Sequence, residues 1–431
     1  MTSTSTSPTS AVGQRTVRRI SIRLLPYLFT LYIIAFLDRV NVGFAGLEMS
    51  RDLGFSDRVF SLGAGIFFVG YFLLEIPGAI IVERWSARRW IARILVSWGL
   101  VTIGMGFVHT SGQFYAVRLL LGAAEAGFFP GIVVYLTHWF RYEDRAHAGA
   151  LFMAAIPISN ILGSPLAGWI LGANWLGLQG WRWLFIVEGI PAVIFGFTTL
   201  FCLTDWPSEA KWLAADEKEW ITQELQREKE AKAAVHSHSI GEALRHREVI
   251  LLALIYFLAL IGIYGFNIWF PTIVKRATGL PNLTVALLSA LPYVAGAIAM
   301  LWNGWHSDRT KERRWHTAVP LFVGGACLGL AIAMQNHLLL CFLAMIIVGA
   351  CTTAFMPSFW ALPTAILSES AAAASIGFIN SVGNLGGFTG PFAIGYLSTL
   401  TQSFVPGLAV VLMAMILSGA MVLRLRIQHK P

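Results

Sequence analysis

Charge is what this sequence has least of. Asp, Glu, Lys and Arg supply 13% of its 431 residues, and 56% of the residues are hydrophobic. Soluble domains carry about a quarter charged residues, so a soluble enzyme or a soluble nucleic-acid-binding protein is excluded in spite of a net charge of +8. Cysteine is also sparse. Cys202, Cys327, Cys341 and Cys351 all fall in apolar runs, with neither metal-ligand spacing nor a disulfide framework, and read as small packing residues. His138, His147, His236, His238 and His246 form no metal motif. There is no GxxxxGK[ST] loop, so ATP hydrolysis is not expected. No small-residue cleavage site follows a short apolar core, so a cleaved signal peptide is not expected either.

What the chain does have is long hydrophobic runs. Twelve of about 20 residues, enough to cross a bilayer as helices, cover 24–46, 60–82, 92–110, 113–140, 147–171, 182–204, 250–274, 283–306, 317–335, 338–367, 372–398 and 404–424. The basic residues are distributed unevenly between them. Twenty-four Lys and Arg fall at the termini, in the middle segment and in the turns on that same side, against five on the other side. By the positive-inside rule both termini are cytoplasmic. The expected organisation is a disordered cytoplasmic N-terminus (1–23), a six-helix bundle (24–204), a charged helical linker (205–249), a second six-helix bundle (250–425) and a cytoplasmic tail (426–431). In the linker, Asp216 with Glu219 three residues on resembles a capping pair.

The halves echo each other. Shifting the first by 225 residues lays ERWSARRW (Glu83–Trp90) on DRTKERRW (Asp308–Trp315), each after the second span of its half, and GSPLAG (Gly163–Gly168) finds a relaxed counterpart in TGPFAIG. Repeated six-helix units around a central site are a transporter's construction. The repeated turn offers Glu83, Arg84, Arg88, Asp308, Arg309 and Arg313 as a cytoplasmic gate, because acids and arginines at helix ends form charge-assisted hydrogen bonds that a rocking motion can break.

Ionisable residues inside spans are costly and mark functional sites by default. Asp38 and Arg39 adjoin in LYIIAFLDRVNVG; Arg118 and Glu125 lie seven apart in RLLLGAAEAGFFPG, hence nearly on one helical face and about 10.5 Å apart along the axis. Arg suits a carboxylate because its planar fork donates two hydrogen bonds and stays charged. Glu75, just before Ile76-Pro77-Gly78, and Glu188 are weaker candidates. In the second half Tyr264, Asn267, Trp360, Asn380 and Asn384 are polar or aromatic groups suited to a substrate's body; the two last are four apart and share a face. No metal site is expected.

These motifs carry a family resemblance. GxxxDRxxxRR is complete as Gly304, Asp308, Arg309, Arg313 and Arg314, while the first copy has Ala79, Glu83 and Ser86 in place of its Gly, Asp and inner Gly. The chain resembles the major facilitator superfamily. LDRVNVG, RLLLGAAEAGFFPG, WRWLFIVEGIP, DWPSEAKWL, FWALPTAILS and INSVGNLGGFTGP are similar to its anion:cation symporter family, with bacterial tartrate, phthalate and galactonate permeases as relatives. The resemblance implies an all-α membrane protein of twelve transmembrane helices in two pseudo-symmetric bundles, working by alternating access in a bacterial inner membrane. It implies proton-coupled uptake of a small organic anion, with Asp38 and Glu125 as proton-responsive acids, Arg39 on the substrate carboxylate, Tyr71 in contact with substrate, and Arg118 coupled to Asp38 or lining the path. The expected partners are the anion, the proton as coupling ion and the lipid bilayer, with no other cofactor, no nucleic acid and a monomeric state. Two further readings are an exchanging exporter of the same fold and a membrane-embedded enzyme or sensor; no extramembrane catalytic domain supports the latter.

Overall fold

Glycine, proline and buried polar groups decide where the apolar runs bend. The structure is a computed structural model that describes residues 11–234, 246–366 and 369–425, and all strand-like pairing is absent among them. The first half comprises α1 (Ala11–Asp52), α2 (Asp57–Arg84), α3 (Ala87–Met105), α4 (Ser111–Glu125), α5 (Phe128–Thr137), α6 (Tyr142–Met153), α7 (Ala155–Leu171) and α8 (Gly180–Cys202). The linker holds α9 (Ala215–Ala234). The second half comprises α10 (Arg247–Thr278), α11 (Asn282–Thr310), α12 (Arg314–Ala333), α13 (Leu338–Ala354), α14 (Met356–Ile366), α15 (Glu369–Asn384), α16 (Gly386–Thr401) and α17 (Val405–Leu423). Among the described residues, ten segments are long and apolar enough to cross a membrane. The arginine-bearing α3 and the broken pair α15–α16 complete the twelve spans.

The fourth, fifth, tenth and eleventh spans are each two helices in series. α4 ends at Glu125 because Ala126 leaves helical geometry and Gly127 takes φ +84°, a left-handed conformation that favours glycine. The corresponding break in the second half falls at Phe355, just before Met356-Pro357, and a second pair of breaks falls at Ala154 and Leu385. The structural breaks thus repeat as the sequence motifs do. Irregular backbone at membrane depth is tolerated where protein or a cavity covers it.

The N-terminal segment differs from expectation. Residues 11–23 are helical, continuous with α1, because Gly13, Thr16 and Ile20 form a buried stripe while Arg15 and Arg19 reach α9. Glu217, whose side chain is fully buried, accepts from Arg15 Nε at 3.0 Å and Arg19 Nη1 at 2.6 Å, and Arg15 also pairs with Asp216. Glu217, rather than Glu219, reaches back to the Ala214 N–H at 2.9 Å and caps α9; Glu219 accepts from Gln223. The linker continues onto the same half. Trp212 stacks on Trp139, Trp206 on His138, Tyr135 Oη and Trp139 Nε1 donate to the Thr204 carbonyl, and Glu228 pairs with Arg145 at 2.7 Å. The described part of the linker is thereby fastened to the first bundle. Residues 426–431, expected as a tail, lie outside the described residues.

The two bundles are pressed together at the end opposite α9, called here the far end. Asp57 at the start of α2 pairs with Arg276 at the end of α10 and accepts from Ser398 Oγ at 2.7 Å; Asn282 Nδ2 donates to Glu48 at 2.6 Å. Backbone approach there is close: a Cβ added to Gly395 would sit 2.3 Å from the Ser61 Cβ, and one added to Gly168 would sit 2.4 Å from that of Ala286.

Burial works against the Glu217 carboxylate, but the Ala214 N–H and then the Arg19 and Arg15 guanidiniums outweigh it and hold its pKa below the ordinary carboxylate value. A depressed folded-state value contributes stability above the unfolded carboxylate range, about 4.3, which is lost as pH falls through the folded value. We expect Glu217→Gln to speed amide exchange across the first turns of α9 about fivefold at neutral pH, the scale of a 1 kcal/mol loss, and the parent protein to show the same loss of protection only in acid. Exchange measured by mass spectrometry checks both; unchanged protection in the variant would contradict the clamp.

Candidate functional site

The helix break after Glu125 sets the site. Glu125, at the last position of α4, is completely buried, and its Oε1 accepts a hydrogen bond from Nη2 of Arg39 on α1. The Arg39 guanidinium is also ringed by Phe36, Phe67 and Tyr71, with its Cζ 5.2, 5.8 and 5.1 Å from their centroids, positions that favour a cation electrostatically. Its Nη1 lies 3.5 Å from Tyr264 Oη of the second half. A buried ion pair is strongly destabilised if one partner is removed, because the other charge is left alone. The Arg39–Glu125 pair therefore yields only to something that replaces its charge.

Arg39 opens onto a cavity of about 60 Å³ between the bundles. Of the residues the sequence singled out, Arg39, Tyr71, Tyr264, Asn267, Trp360, Asn380 and Asn384 line it. Sequence reasoning missed Tyr32, Asn160, Tyr256, Tyr293 and Thr353, which line it too. Asn160, a lone amide in an apolar run, was open to the same argument that picked Asn380; the tyrosines carry no signal that separates them from packing aromatics. Several buried polar atoms around this space lack a hydrogen-bond partner: Arg39 Nε, Asn160 Oδ1, Asn267 Oδ1 and Trp360 Nε1. Donors and acceptors in one apolar-walled space are the chemistry of a small polar ligand's site. The volume is well below the roughly 300–1,000 Å³ of ligand pockets, so loading requires the halves to part. A larger open cleft of about 650 Å³ lies at the far end around Asp57 and Arg276, without the central cluster of unpaired groups.

Two expected residues are elsewhere. Arg118, expected to couple to Asp38 or to line the path, is off the cavity and buried against α2, where its Nε and Nη2 donate to the carbonyls of Gly63 (3.2 Å) and Ala64 (3.0 Å) and its guanidinium lies over Phe67, while its charge still faces Asp38. The reason is the contact between α2 and α4: a Cβ on Gly122 would stand 1.9 Å from the Phe67 carbonyl oxygen, so no cavity separates them. Asp38 also lies off the cavity, accepting from Trp98 Nε1 at 2.8 Å and Asn41 Nδ2 at 3.1 Å inside the first half. Glu188, a weaker candidate, is buried in α8. Glu75 sits between the halves: its Oε1 accepts from Asn380 Nδ2 and its Oε2 from Ser381 Oγ at 2.8 Å.

The described contacts of the charged turns stay within their own half or reach the start of the linker. Asp308 meets Arg313 at 2.6 Å, and Arg309 lies over Trp305 on the same helix. The Arg88 N–H donates to Asp205 Oδ1 at 2.9 Å and its Nη1 to the Leu200 carbonyl at 3.4 Å. None of these contacts crosses between the bundles. Lys311, with φ +53°, folds the second turn tightly enough to bring Arg313 back to Asp308. The side chains of Glu83 and Arg84 lie outside the described ones.

Two six-span bundles closing on a polar cavity define a secondary transporter's architecture. The chain belongs to the major facilitator superfamily, whose family description matches residues 28–391; it is a transporter and not an enzyme. It is 46% identical over 420 residues to a protein of Agrobacterium vitis provisionally named a tartrate transporter, covering 96% of this chain and 95% of that one. It is 39% identical to a quinolone resistance transporter of Acinetobacter baumannii, over 91% and 90% of the two chains. Its fold superposes on that of the xylose transporter XylE from E. coli with a TM-score of 0.75 at 15% identity, covering 97% and 99%.

Arg118→Leu should remove hydrogen bonds worth about 1.5–3 kcal/mol each to a charged donor while leaving ligand affinity per folded molecule within about twofold. Thermal unfolding and ligand titration of the purified variant separate the two; a large loss of affinity at unchanged stability would return Arg118 to the binding site.

Proposed function

We propose that the protein is a proton-coupled symporter that takes up a small organic anion bearing one or more carboxylates, by alternating access, with both termini in the cytoplasm of a bacterial cell. The observation that carries this reading is Arg39: at the cavity wall, caged by aromatic rings, tied to Glu125 and with Nε unpaired. A substrate carboxylate entering the cavity competes with Glu125 for the guanidinium. Once displaced, Glu125 is a buried carboxylate without its cation, and taking up a proton relieves the cost. Anion and proton binding are then linked, and reciprocally so. Tyr71, Tyr264, Asn267, Trp360, Asn380 and Asn384 orient the remainder of the substrate through hydroxyl, indole and amide groups. The provisional tartrate name of the Agrobacterium vitis relative supports a dicarboxylate or sugar acid as the cargo class. No cofactor beyond the proton enters this cycle, and one chain holds every residue it uses.

Export by exchange is a second reading, motivated by the similarity to a quinolone resistance transporter. An acidic exterior should drive tartrate into right-side-out vesicles under symport and should not do so under exchange with protons.

In proteoliposomes with an imposed proton gradient and tartrate as probe, Glu125→Gln should lower uphill accumulation at least about tenfold while counterflow continues, because the amide still holds neutral contacts but takes no proton. Arg39→Lys should weaken tartrate binding about tenfold, or 1.4 kcal/mol, since an ammonium is not a two-pronged donor. Uphill uptake at the parent level in the first variant, or parent affinity in the second, would overturn the coupling.

A further inference from the structure

On the α9 side of the cavity, among the described residues, lies a polar bridge between the halves that the Arg39–Glu125 chemistry leaves unused. Glu75 lies four residues beyond Tyr71, about 6 Å further along α2 toward that end, and is 3% exposed. Both its carboxyl oxygens are engaged by the other half: Oε1 by Asn380, itself a cavity-lining residue, and Oε2 by Ser381. Of the hydrogen bonds between halves named above, these lie nearest the α9 end. The far end is held by Asp57, Arg276, Glu48 and Asn282 instead.

Glu75 forms no ion pair among the described residues. The cation facing it from α1 is Arg39, whose guanidinium is already held by Glu125. Tyr71 faces it from its own helix, Tyr256 and Tyr264 from α10, and the neutral Asn384 from α15. It is thus an acid buried in a seam that must open for each transport cycle, with neutral donors as its partners.

We propose that Glu75 is a further proton-binding residue of the transport cycle, which latches the α9-end gate to Asn380 and Ser381 when protonated and lets it open when ionised. This rests on the alternating-access reading above, though not on the identity of the cargo. The protonated carboxyl keeps both contacts: Oε1 still accepts from the Asn380 amide, while the new O–H donates to the Ser381 hydroxyl oxygen, which has lone pairs to spare. The ionised carboxylate also accepts from both, but burying an unpaired charge in an apolar seam is costly, and parting the halves admits water to solvate it. Closing therefore binds a proton and opening releases it. The proton leaves on the α9 side, the side to which Asn380 moves away.

The test needs no substrate and no gradient. Spin labels are placed at Lys211→Cys, on the linker fastened to the first half, and Lys311→Cys, on the second half, both exposed, after Cys202, Cys327, Cys341 and Cys351 are replaced by Ser. Their separation is measured in lipid nanodiscs between pH 5.5 and pH 8.5. In the parent, the short-distance population should grow as pH falls. Glu75→Gln should hold the short distance at both ends of the range, because its amide bridges without titrating, and at least two-thirds of the parent's pH-dependent change should vanish. Asn380→Ala with Ser381→Ala, which leaves Glu75 intact, should favour the long distance throughout. A parent separation that ignores pH, a Glu75→Gln protein that responds like the parent, or a double variant that stays closed would each overturn the latch. A wrong cargo assignment would leave all three outcomes as they are, so failure here and failure of the symport reading are distinguishable.

Discussion

A guanidinium buried between helices needs compensation for its lost hydration, and at Arg39 that compensation is a counter-charge which organises the centre of the molecule. Arg39 is held by Glu125, walled by Phe36, Phe67 and Tyr71, and touches Tyr264 of the opposite bundle. The pair exists because α4 stops at Glu125, and α4 stops there because Ala126 and Gly127 leave the helix. A run of small residues in GAAEAG therefore does two jobs: it lets α4 lie against α2, and it places an acid at a helix end beside the cavity.

The contacts around that centre divide by function. Apolar packing and glycine-mediated approach bring α2 against α16 and α7 against α11 at the far end. Toward the α9 end, among the described residues, the hydrogen-bonded bridge between the halves is formed by one acid and two neutral donors. Such a seam separates at lower cost than packed apolar surface, since water can take over each hydrogen bond as it breaks. The described linker is fastened to the first bundle through Glu217, Trp206, Trp212 and Glu228.

Much of this is legible in the chain itself. Twelve apolar runs and a repeated charged turn define two six-helix halves, and the family match agrees. Isolated polar residues in apolar runs identified part of the cavity wall, because a span has few other reasons to hold Asn267, Asn380 or Asn384. Helical spacing misled at Arg118: sharing a face with Glu125 did not place it in the cavity, since 10.5 Å nearer the far end that face meets α2 directly. The place of Glu75 between the halves was not legible because its partners lie 305 and 306 residues away in the chain, a juxtaposition only tertiary structure provides. The N-terminal arginines read as a solvated tail because their acidic partners, Asp216 and Glu217, are equally remote.

The central claim is that a bound carboxylate takes Arg39 from Glu125 and a proton follows. Proton exchange on ligand binding measures this without any flux: purified protein in weakly buffered solution is mixed with tartrate while bulk pH is recorded. The account predicts that the parent withdraws protons from solution as tartrate binds and that Glu125→Gln binds tartrate with much less uptake. Tartrate binding to the parent with no change in bound protons at any pH would contradict it.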